Sequence, residues 1–331
     1  MVGRTHYTKI LTLTLTLTLA VGARAQSEST SVFDFLKLPT SAHGMALGGT
    51  NTVIWDDDAS LLFQNPALMA NTSDRSISLG FLTYMQGCKA GTVAWTKAHR
   101  QRGTWGLGAQ FVGYGTMKER SVEGVEMGDF GALDMAISGG YSYMLTDRLV
   151  GGAMGKFIYS KYGSYSSVAL AVDLGLNYLM EEQGLSLSLV AANLGGQLKA
   201  FGDVYERLPF DLRLGFSKQL QGAPLRFSLS MVDLTRWSAA DYYNADGKLK
   251  GGQILLNHFV LGVDIIPMEQ FYVALGFNFR RAYEMKAAGG SHAAGLCLGA
   301  GVHIKKFKLD VAYAKYHLSA PSLLFTAQYA I

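Results

Sequence analysis

From about Asp74 onward the chain repeats with a period of two residues, and this property limits what it can fold into more than any other. Val168, Leu170, Val172, Leu174, Leu176 and Tyr178 are apolar at every second place, with Ser167, Ala169, Ala171, Asp173, Gly175 and Asn177 between them. Phe210, Leu212, Leu214 and Phe216 interleave with Asp211, Arg213, Gly215 and Ser217, and Phe271, Val273, Leu275, Phe277 and Phe279 with Tyr272, Ala274, Gly276, Asn278 and Arg280. A helix groups apolar residues at three- and four-residue spacing; alternation marks strands with one apolar face. About fourteen such segments are expected, near 74–84, 91–98, 103–115, 132–144, 149–160, 166–179, 185–194, 208–219, 224–234, 254–266, 271–281, 291–304, 307–317 and 322–331.

Composition says where those strands belong. Hydrophobic residues make up 49 % of the chain and charged ones 16 %, against roughly 25 % charged in a soluble domain. No uncharged apolar run after Ala25 approaches the roughly 20 residues of a membrane helix. Lipid offers backbone groups no partners, so the other spanning solution is a closed barrel. The connections agree: HRQR, LTDR, EEQG, LQGA, PMEQ and KK follow alternate strands, while MKERSVEGVEMGD, GGQLKAFGDVYER and WSAADYYNADGKLKG follow the others. Short turns at one end and long loops at the other are the outer-membrane pattern. The fold class expected is all-β, an antiparallel transmembrane barrel of about fourteen strands in outer-membrane lipid. Lys156, Asp173, Asp211, Arg213, Arg226, Lys308 and Asp310 should face the lumen, because a base facing lipid at mid-membrane costs about 2–4 kcal/mol. Tyr84, Tyr143, Tyr159, Tyr178 and Tyr313 are placed to flank the apolar band. The last segment, Leu323, Phe325, Ala327, Tyr329 and Ile331, alternates to the final residue, where an aromatic side chain would be usual.

Two stretches stand outside the barrel strands, although Leu11 to Leu19 of the first alternates leucine with threonine and by itself looks like a strand. Residues 1–25 carry Arg4 and Lys9, an apolar run from Ile10 to Ala20, and Ala23-Arg24-Ala25, the plan of an export signal with cleavage between Ala25 and Gln26. That stretch holds three bases and no acid, so the remainder has 26 bases against 25 acids, net +1, and no electrostatic case for nucleic acid. Residues 26–73 contain Pro39, Gly48-Gly49, Asp56 to Asp58 and Asn65-Pro66-Ala67, which read as turns and short helical pieces. Ala46, Leu47, Val53, Ile54, Trp55, Leu61, Leu62 and Phe63 make this stretch too apolar for a free tail. The lumen of the barrel 74–331 is the available cavity for it, as a hatch.

No catalytic constellation emerges. The histidines lack zinc-protease spacing. Gly289-Gly290-Ser291-His292-Ala293 lacks the second glycine of a nucleophile elbow. Gly106-Leu107-Gly108 and Gly299-Ala300-Gly301 lie within strand patterns, not at a strand–helix turn. The three acids at 56–58 lack the spacing of a calcium loop and suit capping or anchoring. Cys88 and Cys297 read as two unrelated thiols. Neither an enzymatic activity nor a cofactor or metal is expected.

The GG pair, the acidic cluster and NPAL ahead of about fourteen strands resemble the FadL-like outer-membrane transport family. FDFLKLPTSAHGMALGGTN, QNPAL, LVAANLGGQLKAF, LPFDLRLGFSKQL and DLTRW are similar to one branch, the PorQ-like proteins of type IX secretion. The resemblance implies a lumenal hatch in which Gly48, Gly49, Asp57, Asn65 and Pro66 are structural. It also implies a non-enzymatic role: holding a PorZ-like attachment partner at the cell surface beside PorU and PorV. Asn193, Gly195, Gly196, Arg236 and Trp237 would then mark partner loops near 195–207 and 235–253. A FadL-like channel for hydrophobic small molecules is the alternative.

Overall fold

The structure, a computed structural model, describes residues 31–84, 87–120, 126–243, 249–289, 293–316 and 320–331. The expected export signal, with Ala25 and Gln26, and Ser291 and His292 lie outside the described residues.

Fourteen strands form one closed antiparallel barrel. They are β1 (Ser76–Thr83), β2 (Lys89–His99), β3 (Gly103–Arg120), β4 (Glu126–Met144), β5 (Leu149–Tyr162), β6 (Tyr165–Met180) and β7 (Leu185–Lys199). The second half comprises β8 (Asp211–Gln219), β9 (Leu225–Met231), β10 (Phe259–Met268), β11 (Phe271–Asn278), β12 (Leu296–Ile304), β13 (Phe307–Ala314) and β14 (Ser322–Ala330). Each strand pairs with its sequence neighbour, and β1 closes on β14 through Ser76↔Ala330 to Thr83↔Leu323. No sheet edge is left along the spanning length, which is what a lipid environment demands.

The alternation resolves into two faces. On β6, Leu170, Val172, Leu174 and Leu176 point outward and are exposed, while Ala169, Ala171, Asp173 and Asn177 are buried inside. Lys156, Asp173, Asp211, Arg213, Arg226 and Asp310 are all buried inward, and the partly buried Lys308 pairs inward with Asp57, so the charges expected in the lumen are found there. Lys156 pairs with Asp173 at 2.6 Å, Arg226 with Asp264 at 2.8 Å, and Arg213 with Asp211.

Several expected boundaries move. Both described ends of the loop expected at 117–129 are strand: β3 and β4 keep pairing past a bulge at Gly113/Thr116, through Lys118↔Asp129, and a Lys118–Glu126 ion pair at 2.7 Å ties them. β7 likewise runs on to Lys199. β10 and β11 are shorter than expected because helices flank them: α2 (Gly251–Asn257) precedes β10, and α3 (Phe279–Ala287) follows β11, capped by the Asn278 side chain on the Arg281 N–H. The capping asparagine ends the strand where simple alternation suggested three more residues. The connections after the even-numbered strands are all short, as expected, and those after β7, β9 and β11 are long, but β1 and β2 are joined by five residues and β5 and β6 by a tight turn at Gly163. Tyr143 and Tyr313 lie outward as expected; Tyr84 instead turns toward Tyr316, ring centroids 6.4 Å apart, because β1 has already ended at Thr83.

Residues 31–73 form one compact unit with the barrel. They contain α1 (Ala42–Ala46) and 3-10 turns at Asp34–Lys37, Ala59–Phe63 and Pro66–Asn71. Ile54, Leu61, Leu62, Leu68 and Met69 are completely buried against inward faces of the strands. Each such side chain contributes about 1.5–3 kcal/mol relative to exposure, which holds in place a segment whose one β-bridge to the rest of the fold among the described residues is Ser31↔Arg207.

Candidate functional site: the N-terminal segment and its bed

The inward glycines of the wall make room for the segment. A β-carbon on Gly175 would stand 2.0 Å from the Asn65 Oδ1, and one on Gly152 2.4 Å from the Pro66 carbonyl carbon. Asn65 caps its turn by accepting from the Ala67 N–H at 2.9 Å and donates to the Thr52 carbonyl at 2.9 Å, with Pro66 as first helical residue. Asparagine followed by proline suits that junction: the side chain satisfies a free turn N–H and proline has none to satisfy. Gly106 and Gly108, read from sequence as strand glycines, lie under Met69 and Phe63. Gly48 and Gly49 have φ of +108° and +102°, a region that favours glycine. They turn the chain after α1 so that the Gly48 carbonyl meets the Asn278 amide at 3.2 Å and the Arg281 guanidinium at 3.3 Å.

A four-membered ion network ties this bed to the segment. His43 Nε2 lies 2.7 Å from Asp264 and Nδ1 3.1 Å from Asp56. Arg226 bridges the same two carboxylates, 2.8 Å from Asp264 and 3.1 Å from Asp56. The His43 ring also stacks on Tyr272, centroids 4.0 Å apart. Burial alone would depress the His43 pKa, but the Asp264 and Asp56 carboxylates outweigh it and raise the value to about 10. Asp56 is held well below the usual carboxylate range: burial opposes this, and Arg226 and His43 prevail. Two cations therefore balance two anions, the condition under which buried charge is tolerable. Beside them, Asp57 pairs with Lys308 at 2.8 Å and accepts from the Ser73 N–H at 2.7 Å. Asp58 caps the Ala59–Phe63 turn through the Ser60 N–H and accepts from the Ser41 hydroxyl at 2.8 Å. Burial and the nearby Asp310 raise its pKa. Gln328 accepts from the Ala59 N–H at 2.7 Å and donates to the Asp57 carbonyl at 2.9 Å. The ionic ties all reach β9, β10 and β13, with Gln328 on β14 beside them.

The opposite flank is apolar. Between the segment and β1–β3 lies a narrow crevice of about 10 Å³, floored by Phe35, Leu38 and Leu82 and reaching Gly91 and Phe111 of the wall. A larger cavity of about 550 Å³ opens beside β8 and α3, and its walls carry both signs of charge, Lys37, Arg213, Arg280 and Arg281 with Asp34, Asp211, Asp233 and Glu284. The two cavities differ in chemistry as well as size.

The residues proposed from sequence for partner loops separate. Asn193 is 1 % exposed; it accepts from Lys156 at 2.9 Å and donates to the Pro209 carbonyl at 3.0 Å, so it ties the inner wall and offers no surface. A β-carbon on Gly195 would strike the Leu170 carbonyl at 2.0 Å, whereas Gly196 faces open space. Arg236 is occupied with Asp233 at 3.6 Å. Trp237 is exposed, its ring tilted against His258 with centroids 4.1 Å apart. Cys88 and Cys297 are free thiols. Sequence reasoning missed His43, Asp264 and Arg281. A histidine inside an apolar non-alternating run, facing a barrel whose inward strand positions carry charge, was the available signal for the first.

No protein-family model and no curated sequence matches the chain. Solved structures do. A channel titled "CymD monoaromatic hydrocarbon channel" superposes with a TM-score of 0.55 at 13 % identity, over 88 % of this chain and 97 % of that one. A deltaS2 mutant of the TodX monoaromatic hydrocarbon channel gives 0.54 at 12 %, over 89 % and 98 %. A Pseudomonas aeruginosa FadL homologue gives 0.51 at 13 %, over 88 % and 98 %. The chain has the fold of the FadL-type outer-membrane barrels. At such identities the likeness establishes the fold alone, and the narrower resemblance to type IX secretion proteins draws no support from these structures.

Proposed function

We propose that this FadL-type barrel is a channel for a small apolar solute, with residues 31–73 as its hatch and the long loops outside the cell. The observation that carries the reading is the apolar crevice between that segment and β1–β3, in a fold shared almost end to end with hydrocarbon channels. At about 10 Å³ the crevice holds roughly one water. Passage therefore requires the segment to yield on the β1–β3 side, where no ion pair among the described residues binds it, while the ties to β9, β10 and β13 keep it attached. The test is uptake of radiolabelled toluene by Gram-negative cells producing the protein. Uptake several-fold above cells lacking it is expected. Ala90→Leu, on the buried inward face of β2 beside the crevice, crowds it and slows uptake. Equal uptake with and without the protein would sink the channel reading.

A second reading has its own observation. Leu198, Val204, Tyr205, Trp237 and Tyr243 are each more than half exposed at the long-loop end, an apolar display suited to a protein partner. Here the barrel anchors an attachment partner of type IX secretion, PorZ-like, beside PorU- and PorV-like proteins. Deleting residues 195–207 or 235–253 would release that partner and its cargo from the surface while the barrel remains. Normal surface retention in both deletions rules this out.

A further inference from the structure

The rim of the barrel at its short-turn end is lopsided in charge. Hydrogen bonds string one continuous arc along it: the Ala330 N–H donates to the Lys306 carbonyl at 3.0 Å, the Ile331 N–H to the Arg75 carbonyl at 3.2 Å and the Met144 N–H to the Arg102 carbonyl at 2.8 Å. The Ala98 N–H, donating to the Asp74 carboxylate at 3.0 Å, joins the chain before β1 to the end of β2. This arc, from the β12–β13 turn round to the β4–β5 turn, carries Lys305, Lys306, Arg75, Lys97, Arg100, Arg102 and Arg148, all exposed. Its acidic side chains among the described residues are Asp74 and Asp147, and both are taken, Asp74 by Arg75 at 3.7 Å and Asp147 by Arg102 at 3.3 Å. Counting the carboxylate of Ile331 as a third anion still leaves the arc basic. The remaining arc, from the β6–β7 turn to the β10–β11 turn, has the opposite balance, with Glu181, Glu182 and Glu269 against Lys218.

Lys97 shows what meets this charge. It lies on the outward row of β2 with Val93 and Trp95, while Ala94 and Thr96 are buried inside, and it stands directly across the strand pair from Trp105. Trp105 packs on Tyr141 with centroids 4.6 Å apart, and the Tyr141 hydroxyl lies 3.2 Å from His99 Nδ1, so β2, β3 and β4 all turn aromatic groups outward at this level. On the other flank Phe307, beside the Lys305–Lys306 turn, packs on Tyr329 at 4.6 Å. Aromatic girdles mark the headgroup level of a membrane barrel. A lysine there keeps its stem in the apolar band and extends its amine to the phosphates. Lys97, Arg100, Arg148, Lys305 and Lys306 have no carboxylate partner among the described residues. A soluble protein docked on the rim would not reach a lysine on the lipid-facing row, whereas a lipid headgroup does.

We propose that this arc binds an anionic phospholipid, with Lys97, Arg100 and Arg148 receiving its phosphates and the outward face around Trp105 its acyl chains. Guanidinium groups match phosphate oxygens in geometry as well as charge. Neighbouring strands lie about 4.8 Å apart, which puts the β2–β3 and β4–β5 turns about 10 Å from each other. Long basic side chains close that distance onto one lipid with two phosphates, such as cardiolipin. The leaflet concerned follows from the long loops being outside the cell, the orientation adopted above; the binding itself depends neither on that orientation nor on passage of a solute.

The experiment is native mass spectrometry of the full chain, delipidated in detergent, with cardiolipin and zwitterionic phosphatidylethanolamine added at equal concentration. Cardiolipin adducts should exceed phosphatidylethanolamine adducts several-fold. Combining Lys97→Gln, Arg100→Gln and Arg148→Gln, all at exposed positions, should bring the two to equality in a protein that keeps its heat-modifiable mobility, and Lys97→Gln alone should remove part of the preference. Glu181→Gln with Glu182→Gln, on the other arc, should leave the preference as it is. Equal binding of the two lipids by the unaltered protein overturns the proposal and leaves the basic arc to an acidic protein partner. So does a cardiolipin preference that survives the triple substitution, or lipid A, the phosphorylated lipid of the outer leaflet, binding in preference to cardiolipin when the two are mixed.

Discussion

Neighbouring residues on one strand can meet opposite solvents, and Arg213 and Leu214 show the consequence. Leu214 faces lipid and Arg213 is buried beside Asp211. Leu214→Arg places a base in the apolar band, at a cost of about 2–4 kcal/mol, and should block insertion, seen as loss of heat-modifiable protein from outer membranes. Arg213→Leu should insert. Its effect is different in kind: Asp211 keeps a buried charge, so the inserted barrel unfolds at lower denaturant, and adding Asp211→Asn recovers much of the loss. Equal insertion of the two single variants would show that the assignment of inside and outside is wrong. At the same scale, Gly175→Val should dislodge Asn65, whose Oδ1 lies 2.0 Å from where the new β-carbon would be. Protease sensitivity within residues 50–70 of an otherwise intact barrel would report it. Alternation was sufficient to assign Arg213 and Leu214, because period two leaves a strand residue no third direction. It could not assign Asn65 or Gly175, whose meeting depends on two segments far apart in sequence.

Among the elements, the segment 31–73 depends most on charge. His43 has its pKa raised to about 10 in the folded state, against an ordinary value near 6.5. A raised value means that the stabilisation is fully present below the ordinary pKa and is lost as pH rises through the folded one. Docking of the segment should therefore hold across neutral pH and weaken between about pH 7 and 10, read as growing cleavage by an added protease. In His43→Gln this dependence should largely vanish. A segment equally protected at pH 7 and pH 10.5 would show that the His43 contacts do not secure it. Asp56, depressed by Arg226 and His43, has the opposite sign: its contribution is present above the ordinary carboxylate pKa and lost in strong acid. The acidic run at 56–58 was visible in sequence as anchoring or capping groups. Its partition was not: Asp56 and Asp57 reach the wall while Asp58 caps a turn, and that division is set by which strand passes each residue.

For the whole molecule, the question is what fills a barrel of this width. Eight strands enclose just enough room for their own side chains; wider barrels leave a lumen or need a plug. Every pairing of the fourteen strands is independent of residues 31–73. Removing those residues should leave a barrel that still assembles and now carries ionic current in planar bilayers, through a lumen lined by Asp264, Arg226 and Lys308. The intact protein should conduct far less. Equal conductance of the two would mean that the segment does not obstruct the lumen.

Strand number, the direction of side chains and the short turns after the even-numbered strands were determined by the sequence alone, because each follows from local periodicity and from the cost of exposing charge to lipid. The raised β3–β4 hairpin, the helices beside β10 and β11 and the inward turn of Tyr84 departed from that periodicity, since pairing and capping continue or stop where neighbours allow. The network of His43, Asp56, Arg226 and Asp264, and the position of Arg281 against Gly48, were decided only by the tertiary structure. Each contact joins a residue of the N-terminal segment to a wall residue more than 150 positions away, and such charges become partners only when closure of the barrel brings its wall around that segment.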